Sequence, residues 1–153
     1  MSGGTRNRHK GVKMIHQVSL MIDGEPVAKA RPRFSKYGHA YTPEKTAQYE
    51  KKVKDAYRTQ PNTWKFKRGT ALMVSITFSM PIPQSYSKKR RKWILDGYEH
   101  YTKKPDIDNL AKAVLDALNG VAWEDDAQIV ALNLRKEYSE HPSVWVSIRL
   151  ADV

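Results

Sequence analysis

One stretch of strict alternation constrains the fold more than any other feature of this chain. Between residues 72 and 80, every second side chain is apolar and points to one side of an extended backbone: Leu72, Val74, Ile76, Phe78 and Met80. A period of two is typical of a β-strand with one apolar face. Pro81 and Pro83 follow this segment and predict the end of the strand.

Weaker alternation predicts three further strands. The first lies at 14–22, and two more lie near the end of the chain. We expect each late strand to carry an inward row, which is Val130, Leu132 and Leu134 in one and Val144, Val146, Ile148 and Leu150 in the other.

Helices are predicted at 43–58, at 87–95 and at 108–119. The first begins after an expected N-cap at Thr42 and has a thin apolar stripe of Ala47, Val53, Ala56 and Tyr57. The order strand, helix, strand, helix, strand, strand favours an α+β fold, with a mixed β-sheet and two main helices packed on it. With 153 residues, we expect one domain at 14–153 after a flexible basic tail at 1–13.

The chain is strongly basic. Lys and Arg number 27 against 16 Asp and Glu, which gives a formal net charge of +11. Because each neutralised phosphate releases condensed counterions, such an excess predicts a polyanionic partner, and nucleic acid above all. A basic, soluble surface with no specific partner is the alternative.

Several classes of site are excluded by composition. Cysteine is absent, which excludes disulfides, thiolate zinc sites and a cysteine nucleophile and fits a reducing compartment. The five His residues are dispersed without ligand spacing, which argues against zinc. No apolar run approaches the ~20 residues that span a bilayer. We therefore expect a cytoplasmic protein with no membrane partner.

Acidic residues stand where the helix at 108–119 begins. In an extended approach to this helix, Asp106 and Asp108 point the same way and can share one cation. Asp108, Lys112 and Asp116 then lie at i, i+4 and i+8, on a helix face separate from the apolar one. An N-cap at Asp106 and an ordinary ion pair between Asp108 and Lys112 are the alternatives.

A second acidic pair, Asp125 and Asp126, precedes the late strands. A turn at 119–120 could bring this pair back beside the helix. Hard divalent cations prefer oxygen ligands, and Mg²⁺ commonly takes one or two carboxylates together with water and phosphate oxygens. The acids therefore indicate a Mg²⁺ site within a basic protein, although Asp125 and Asp126 could also be plain turn residues.

The residues also resemble a known family. The stretches 104–110, 112–120 and 123–129 closely resemble the RusA family of Holliday junction resolvases, and 24–34 with 41–43 looks like the N-terminal part of phage and prophage members. The resemblance spans about residues 14 to 150. It implies a homodimeric endonuclease that cuts four-way DNA junctions by paired symmetric nicks and depends on Mg²⁺, with Mn²⁺ substituting.

The resemblance also implies roles for particular residues. Catalytic and metal-binding carboxylates fall on Asp106, Asp108 and Asp126, with Asp125 as a further metal ligand and Lys112 as the functional lysine. Its partners would be four-way or branched DNA and a second copy of the chain. A nuclease for flaps or forks, and a non-catalytic DNA-binding module, remain open as alternatives.

Basic residues beside aromatic ones suggest where DNA would lie. Phe34 and Tyr37 are interleaved with basic residues, and we expect phosphate contacts from Lys29, Arg31, Arg33, Lys36, Lys103 and Lys104. A solvated loop is the alternative. The run 88–92 is either a grip on a DNA arm or a solvated helix face, and we expect Trp93 and Trp123 in the core or at a dimer interface.

Overall fold

The computed structural model describes residues 17–61 and 63–151. The tail at 1–13 and the start of the first expected strand lie outside them. The elements, in chain order, are β1 (Gln17–Asp23), β2 (Arg33–Phe34), β3 (Ala40–Tyr41), α1 (Glu44–Arg58), β4 (Leu72–Pro81), α2 (Lys88–Leu95), α3 (Ile107–Leu118), a 3-10 turn (Asp126–Gln128), β5 (Ile129–Ser139) and β6 (Ser143–Leu150).

Four strands form a mixed sheet in the order β1-β6-β4-β5, which confirms the predicted α+β class. β6 pairs antiparallel with both β1 and β4, whereas β4 and β5 are parallel. Parallel neighbours need a crossover connection. Here α2 and α3 lie within that connection, and α3 comes to lie beside β5. No helix in the described ranges is long and apolar enough to cross a membrane.

The core lies between one face of the sheet and the two longer helices. The predicted alternation of β4 is confirmed, because all five of its apolar side chains on that face are buried. The inward row of β6 is also confirmed for Val144, Val146 and Ile148. α3 is anchored to the same core by Leu110, Val114 and Leu118, and α1 packs against both α3 and β1.

The predicted stripe and cap of α1 are partly wrong. Val53 and Tyr57 are buried, but Ala47 is exposed and Thr46 is buried instead. Thr46 tolerates burial because its hydroxyl accepts a hydrogen bond from the backbone N–H of Ala30 at 3.3 Å. Pro43 rather than Thr42 occupies the N-cap position, and no side chain caps the helix.

The predicted inward row of β5 is only partly correct, because Leu134 packs against the core while Val130 and Leu132 are exposed. Val130 is 64% exposed and Leu132 is 44% exposed, and Leu134 is only half-buried. The register pairs Leu132 with Val74 and Leu134 with Ile76, so Leu132 and Leu134 face the helix side of the sheet. β5 is an edge strand, however, and a register shift at its start displaces Val130. Side chains at an edge have a covering neighbour on one side only.

Candidate active site

Three of the predicted site residues, Asp108, Lys112 and Asp126, line one concavity between α3 and β5 together with Asp116. Its volume is about 240 Å³, and its polar side chains are Asp108, Lys112, Asp116 and Asp126. Three of these come from α3, where spacings of four residues place them on one face. Apolar side chains complete the lining: Ala111, Leu115, Leu132 and Leu134.

The chain reverses after α3 and so brings Asp126 to the same place. Gly120 has a φ of +79°, a conformation that favours glycine, and its N–H donates to the carbonyl of Trp123 at 2.8 Å. The buried Trp123 indole then donates from Nε1 to Oδ1 of Asp126 at 2.7 Å. This bond orients the Asp126 carboxylate from within the core, which confirms the core alternative for Trp123.

Asp125 points away from its neighbour. Its Oδ1 accepts from the N–H of Ala127 at 2.9 Å and caps the 3-10 turn, and it lines a different concavity, together with Arg68. The structure therefore separates the two carboxylates of this pair. Asp125 therefore acts as a turn residue, which was the alternative interpretation of this position in the sequence.

Gln128 holds the 3-10 turn in place, a role that sequence reasoning missed. It is buried, and its Nε2 donates to the carbonyls of Lys67 and Thr70 at 2.8 and 3.1 Å. Its Oε1 accepts from the backbone N–H groups of Glu124 and Asp125, both at 3.0 Å. The capping-box spacing between Asp125 and Gln128 could have indicated this role from the sequence.

Asp106 is not among the side chains that line the concavity. It occupies the N-cap position of α3 without a capping hydrogen bond, and its half-exposed carboxylate lies 3.3 Å from Nζ of Lys104. Within residues 17–61 and 63–151, no group of three or more His, Asp or Glu side chains is close enough to hold a metal ion. The structure thus brings Asp108 and Asp126 to one cavity, whose lining does not include Asp106.

Asp108 and Asp126 are carboxylates without a cationic partner. In the described part of the chain, no Lys or Arg lies within ion-pair distance of either. Two oxygen ligands that face one concavity fit the donor set of Mg²⁺, which completes its shell with water and phosphate oxygens. The residues present therefore suit a hard divalent cation.

Lys29 links three segments beside this concavity. Its ammonium group contacts Glu50 of α1 and lies 3.3 Å from Oδ2 of Asp116, which also lies 3.2 Å from Nζ of Lys112. Burial lowers the pKa of Lys29, but the hydrogen bonds to Glu50 and Asp116 outweigh this, so the pKa is raised overall. Lys29 was expected to contact phosphate, whereas its ammonium group is occupied by two carboxylates. Sequence reasoning missed Glu50, because it lies on α1 whereas Asp116 lies on α3.

A comparison with known proteins identifies the family. A family model described as endodeoxyribonuclease RusA matches residues 23–149. The chain belongs to the RusA endodeoxyribonuclease family. It is 38% identical over 136 residues to the uncharacterized protein YqaN of Bacillus subtilis (strain 168), which covers 86% of this chain and 95% of that protein. It is 30% identical over 84 residues to a crossover junction endodeoxyribonuclease rusA of Lactococcus phage r1t, over 54% of this chain and 57% of that one.

The matched region of this RusA-family chain includes the concavity and all of the predicted basic contacts. Arg31, Arg33 and Lys36 are exposed, and Arg33 begins the small β2–β3 sheet on which Phe34 is also exposed. Unlike Lys29, none of these three forms an ion pair within the described residues.

The loop before Asp106 is held by hydrogen bonds to its backbone. Nζ of Lys136 donates to the carbonyls of Lys103 and Pro105, both at 2.9 Å, and the Tyr101 hydroxyl donates to the carbonyl of Lys104 at 3.0 Å. The side chain of Lys104 is exposed and lies beside Asp106.

Proposed function

We propose that this RusA-family protein is a Mg²⁺-dependent endodeoxyribonuclease that resolves four-way DNA junctions by paired symmetric nicks, with Mn²⁺ substituting for Mg²⁺. The observation that carries the proposal is that Asp108 and Asp126, which form no ion pair within the described residues, line one concavity beside Lys112. Both carboxylates face the same concavity, and two oxygen ligands in one place suit Mg²⁺, which completes its shell with water and phosphate oxygens.

In this proposal Asp108 and Asp126 hold the metal. A metal-binding role for Asp106 and Asp125 is supported only by the family pattern, since neither side chain lines the concavity. A bound Mg²⁺ would lower the pKa of the attacking water and neutralise charge on the leaving oxygen. The protein contributes orientation, because Trp123 fixes one oxygen of Asp126.

Lys112 is suited to stabilising charge on the phosphate. Its side chain is 60% exposed, and its carboxylate partner Asp116 is shared with Lys29. Because Asp116 divides its charge between two ammonium groups, it only partly neutralises Lys112. A cation placed at the mouth of the concavity can then interact with the non-bridging oxygens of the scissile phosphate.

DNA would reach this concavity across exposed cations. Arg31, Arg33 and Lys36, together with Lys103 and Lys104, are exposed and so accessible to phosphates. We propose that Lys29 contributes indirectly, through Asp116, because its ammonium group already has two partners.

Paired nicks require two active sites, and we propose that a second copy of the chain supplies the other. A four-way junction has near two-fold symmetry, which matches a C2 dimer. Among residues 17–61 and 63–151, β5 pairs with a strand on one side only, and this supports the proposal, since edge strands readily pair with another chain and Val130 is exposed there.

Cleavage of synthetic DNA by wild type and Asp108→Asn tests the proposal. A mobile four-way junction, a Y-fork and a linear duplex are incubated with and without Mg²⁺. We expect junction nicks at symmetric positions only with Mg²⁺, and a loss of about a hundredfold or more in Asp108→Asn, comparable to losing one electrostatic stabiliser of a transition state. Junction binding in EDTA should persist.

Glu140→Gln is the matched control, since it makes the same charge change at an exposed acid in the turn after β5. It should cleave like wild type. Metal-dependent cleavage that favours the Y-fork would support the flap or fork nuclease instead. Undiminished cleavage by Asp108→Asn would contradict the assignment of Asp108 as a metal ligand. An absence of any cleavage by wild type would favour a non-catalytic DNA-binding module.

A further inference from the structure

A stacked pair of aromatic rings lies at the end of α2. The rings of Trp93 and Tyr98 lie 4.4 Å apart between centroids at an interplanar angle of 27°. The Tyr98 N–H donates to the carbonyl of Trp93 at 3.1 Å, and Gly97, with a φ of +89°, permits the turn. Although stacked, the two residues remain 53% and 66% exposed.

Other residues hold α2 in place. Ile94 is its buried residue, and Ser87 caps its start by accepting from the N–H of Arg90 at 3.1 Å. The Arg90 guanidinium lies 3.6 Å from the centroid of the Tyr86 ring and forms an ion pair with Glu99 at 3.2 Å. The Trp93–Tyr98 pair is therefore not needed to anchor the helix.

The charges around the pair favour an anionic partner. Five consecutive cations, Lys88 to Lys92, stand against Asp96 and Glu99, and Glu99 is already paired with Arg90. Lys89 precedes Trp93 by four residues and so lies on the same face of the helix. Among the residues that the structure describes, Lys89 and Lys92 have no carboxylate partner.

We propose that the Trp93–Tyr98 pair is a stacking platform for an unpaired base of DNA, with Lys89 and Lys92 on the adjoining phosphates. An exposed aromatic face beside free cations is the combination that binds single strands without sequence preference. The inference rests on the proposed action on branched DNA, because bases become accessible where a duplex opens. Intact duplex offers phosphates but no free base face.

The platform is connected to the loop that precedes the catalytic carboxylates. The Lys103 ammonium group donates to the Tyr86 hydroxyl and lies 4.6 Å from the centroid of that ring, which also supports Arg90. A strand held on α2 would thus be fixed relative to residues 103–106. This arrangement suits a substrate with an opened branch point near the concavity.

Binding of fluorescent DNA in EDTA tests the platform without cleavage. Wild type, Trp93→Ala and Trp93→Phe are titrated against an oligothymidine, a Y-fork and a duplex of equal length. We expect Trp93→Ala to bind the oligothymidine and the fork about tenfold more weakly, the loss of one stacked base, and the duplex within about twofold of wild type. Trp93→Phe keeps an aromatic ring and should stay close to wild type.

Trp145→Ala is the matched control. Trp145 is 43% exposed on the sheet face opposite the core, so its removal should leave all three affinities unchanged. Equal losses for duplex and single strand in Trp93→Ala would overturn the platform, as would unchanged binding. Weaker self-association in sedimentation velocity with unchanged DNA binding would assign the pair to a second copy of the chain instead.

A fluorescence measurement covers the case in which Trp93→Ala does not fold. The fluorescence of Trp93 is obtained by subtracting the emission spectrum of Trp93→Phe from that of wild type. Oligothymidine should quench this difference spectrum, and a difference spectrum that is not quenched would refute stacking. Junction cleavage by wild type in Mg²⁺ is measured in parallel. If wild type cleaves junctions and Trp93→Ala binds normally, the platform alone fails; if wild type neither binds nor cleaves branched DNA, the proposed function fails.

Discussion

The ion pair between Lys29 and Glu50 should stabilise the protein measurably, in contrast to most ion pairs on protein surfaces. Both side chains are only 16% exposed, and Lys29 also reaches Asp116, which is 28% exposed. The pair therefore joins the segment before β2 to α1 and α3. The perturbation is a double-mutant cycle with Lys29→Met, Glu50→Gln and the two changes combined.

The expected magnitude follows from these contacts. A hydrogen bond to a charged group contributes roughly 1.5–3 kcal/mol, and removing one partner leaves the other desolvated. Lys29→Met leaves the largely buried Glu50 without its cation and Asp116 with Lys112 alone, and should cost about 2–3 kcal/mol. Glu50→Gln leaves Lys29 paired with Asp116 and should cost about 1–2 kcal/mol. The double variant should cost at least about 1 kcal/mol less than the sum.

Urea unfolding at neutral pH measures the coupling. At about 2–4 °C per kcal/mol for a chain of this length, Lys29→Met should also lower Tm by about 5–10 °C. Lys51 and Asp55 supply the control cycle, as an i,i+4 pair on the same helix with side chains 77% and 52% exposed. A Lys29–Glu50 coupling no larger than the control would refute the reasoning and leave Lys29 free to bind phosphate.

Two further predictions concern the same site. Gln128→Leu should lower the unfolding free energy by about 3 kcal/mol, because four backbone groups each lose a hydrogen bond. Gln128→Glu should lose at least as much at neutral pH, because a buried carboxylate cannot donate to the two carbonyls; a loss below about 1 kcal/mol in urea unfolding for either variant would contradict this. Burial lowers the pKa of Lys29, but its carboxylate partners raise it overall, so its stabilising effect is complete below its ordinary pKa of 10.5 and is lost only at higher pH. The stability difference between wild type and Lys29→Met should therefore be constant from about pH 7 to pH 9, and a decline over that range would show that burial dominates.

Much of the fold was predictable because periodicity is a local property. The alternation at 72–80 predicted β4 and its buried face, and the spacing of Asp108, Lys112 and Asp116 predicted one face of α3. These patterns depend only on the pitch of a strand or a helix. The family pattern was likewise readable from the order of residues along the chain, and the match at 23–149 confirms it.

Pairings between distant segments were not predictable in this way. β5 has a regular strand pattern, but only the strand order places it at an edge, where Val130 and Leu132 remain exposed. Similarly, the separation of Asp125 from Asp126 depends on the bonds from Ala127 and Trp123.

The amino-acid sequence by itself determined the class of fold, the acidic face of α3, the excess positive charge and the family. The tertiary structure decided which carboxylates share a cavity, and it assigned Lys29 to Glu50 and Asp116 instead of to solvent. The physical reason is that backbone geometry sets the direction of a side chain along its own helix or strand. Its partners are set by elements that are distant in sequence and meet only when the chain is folded.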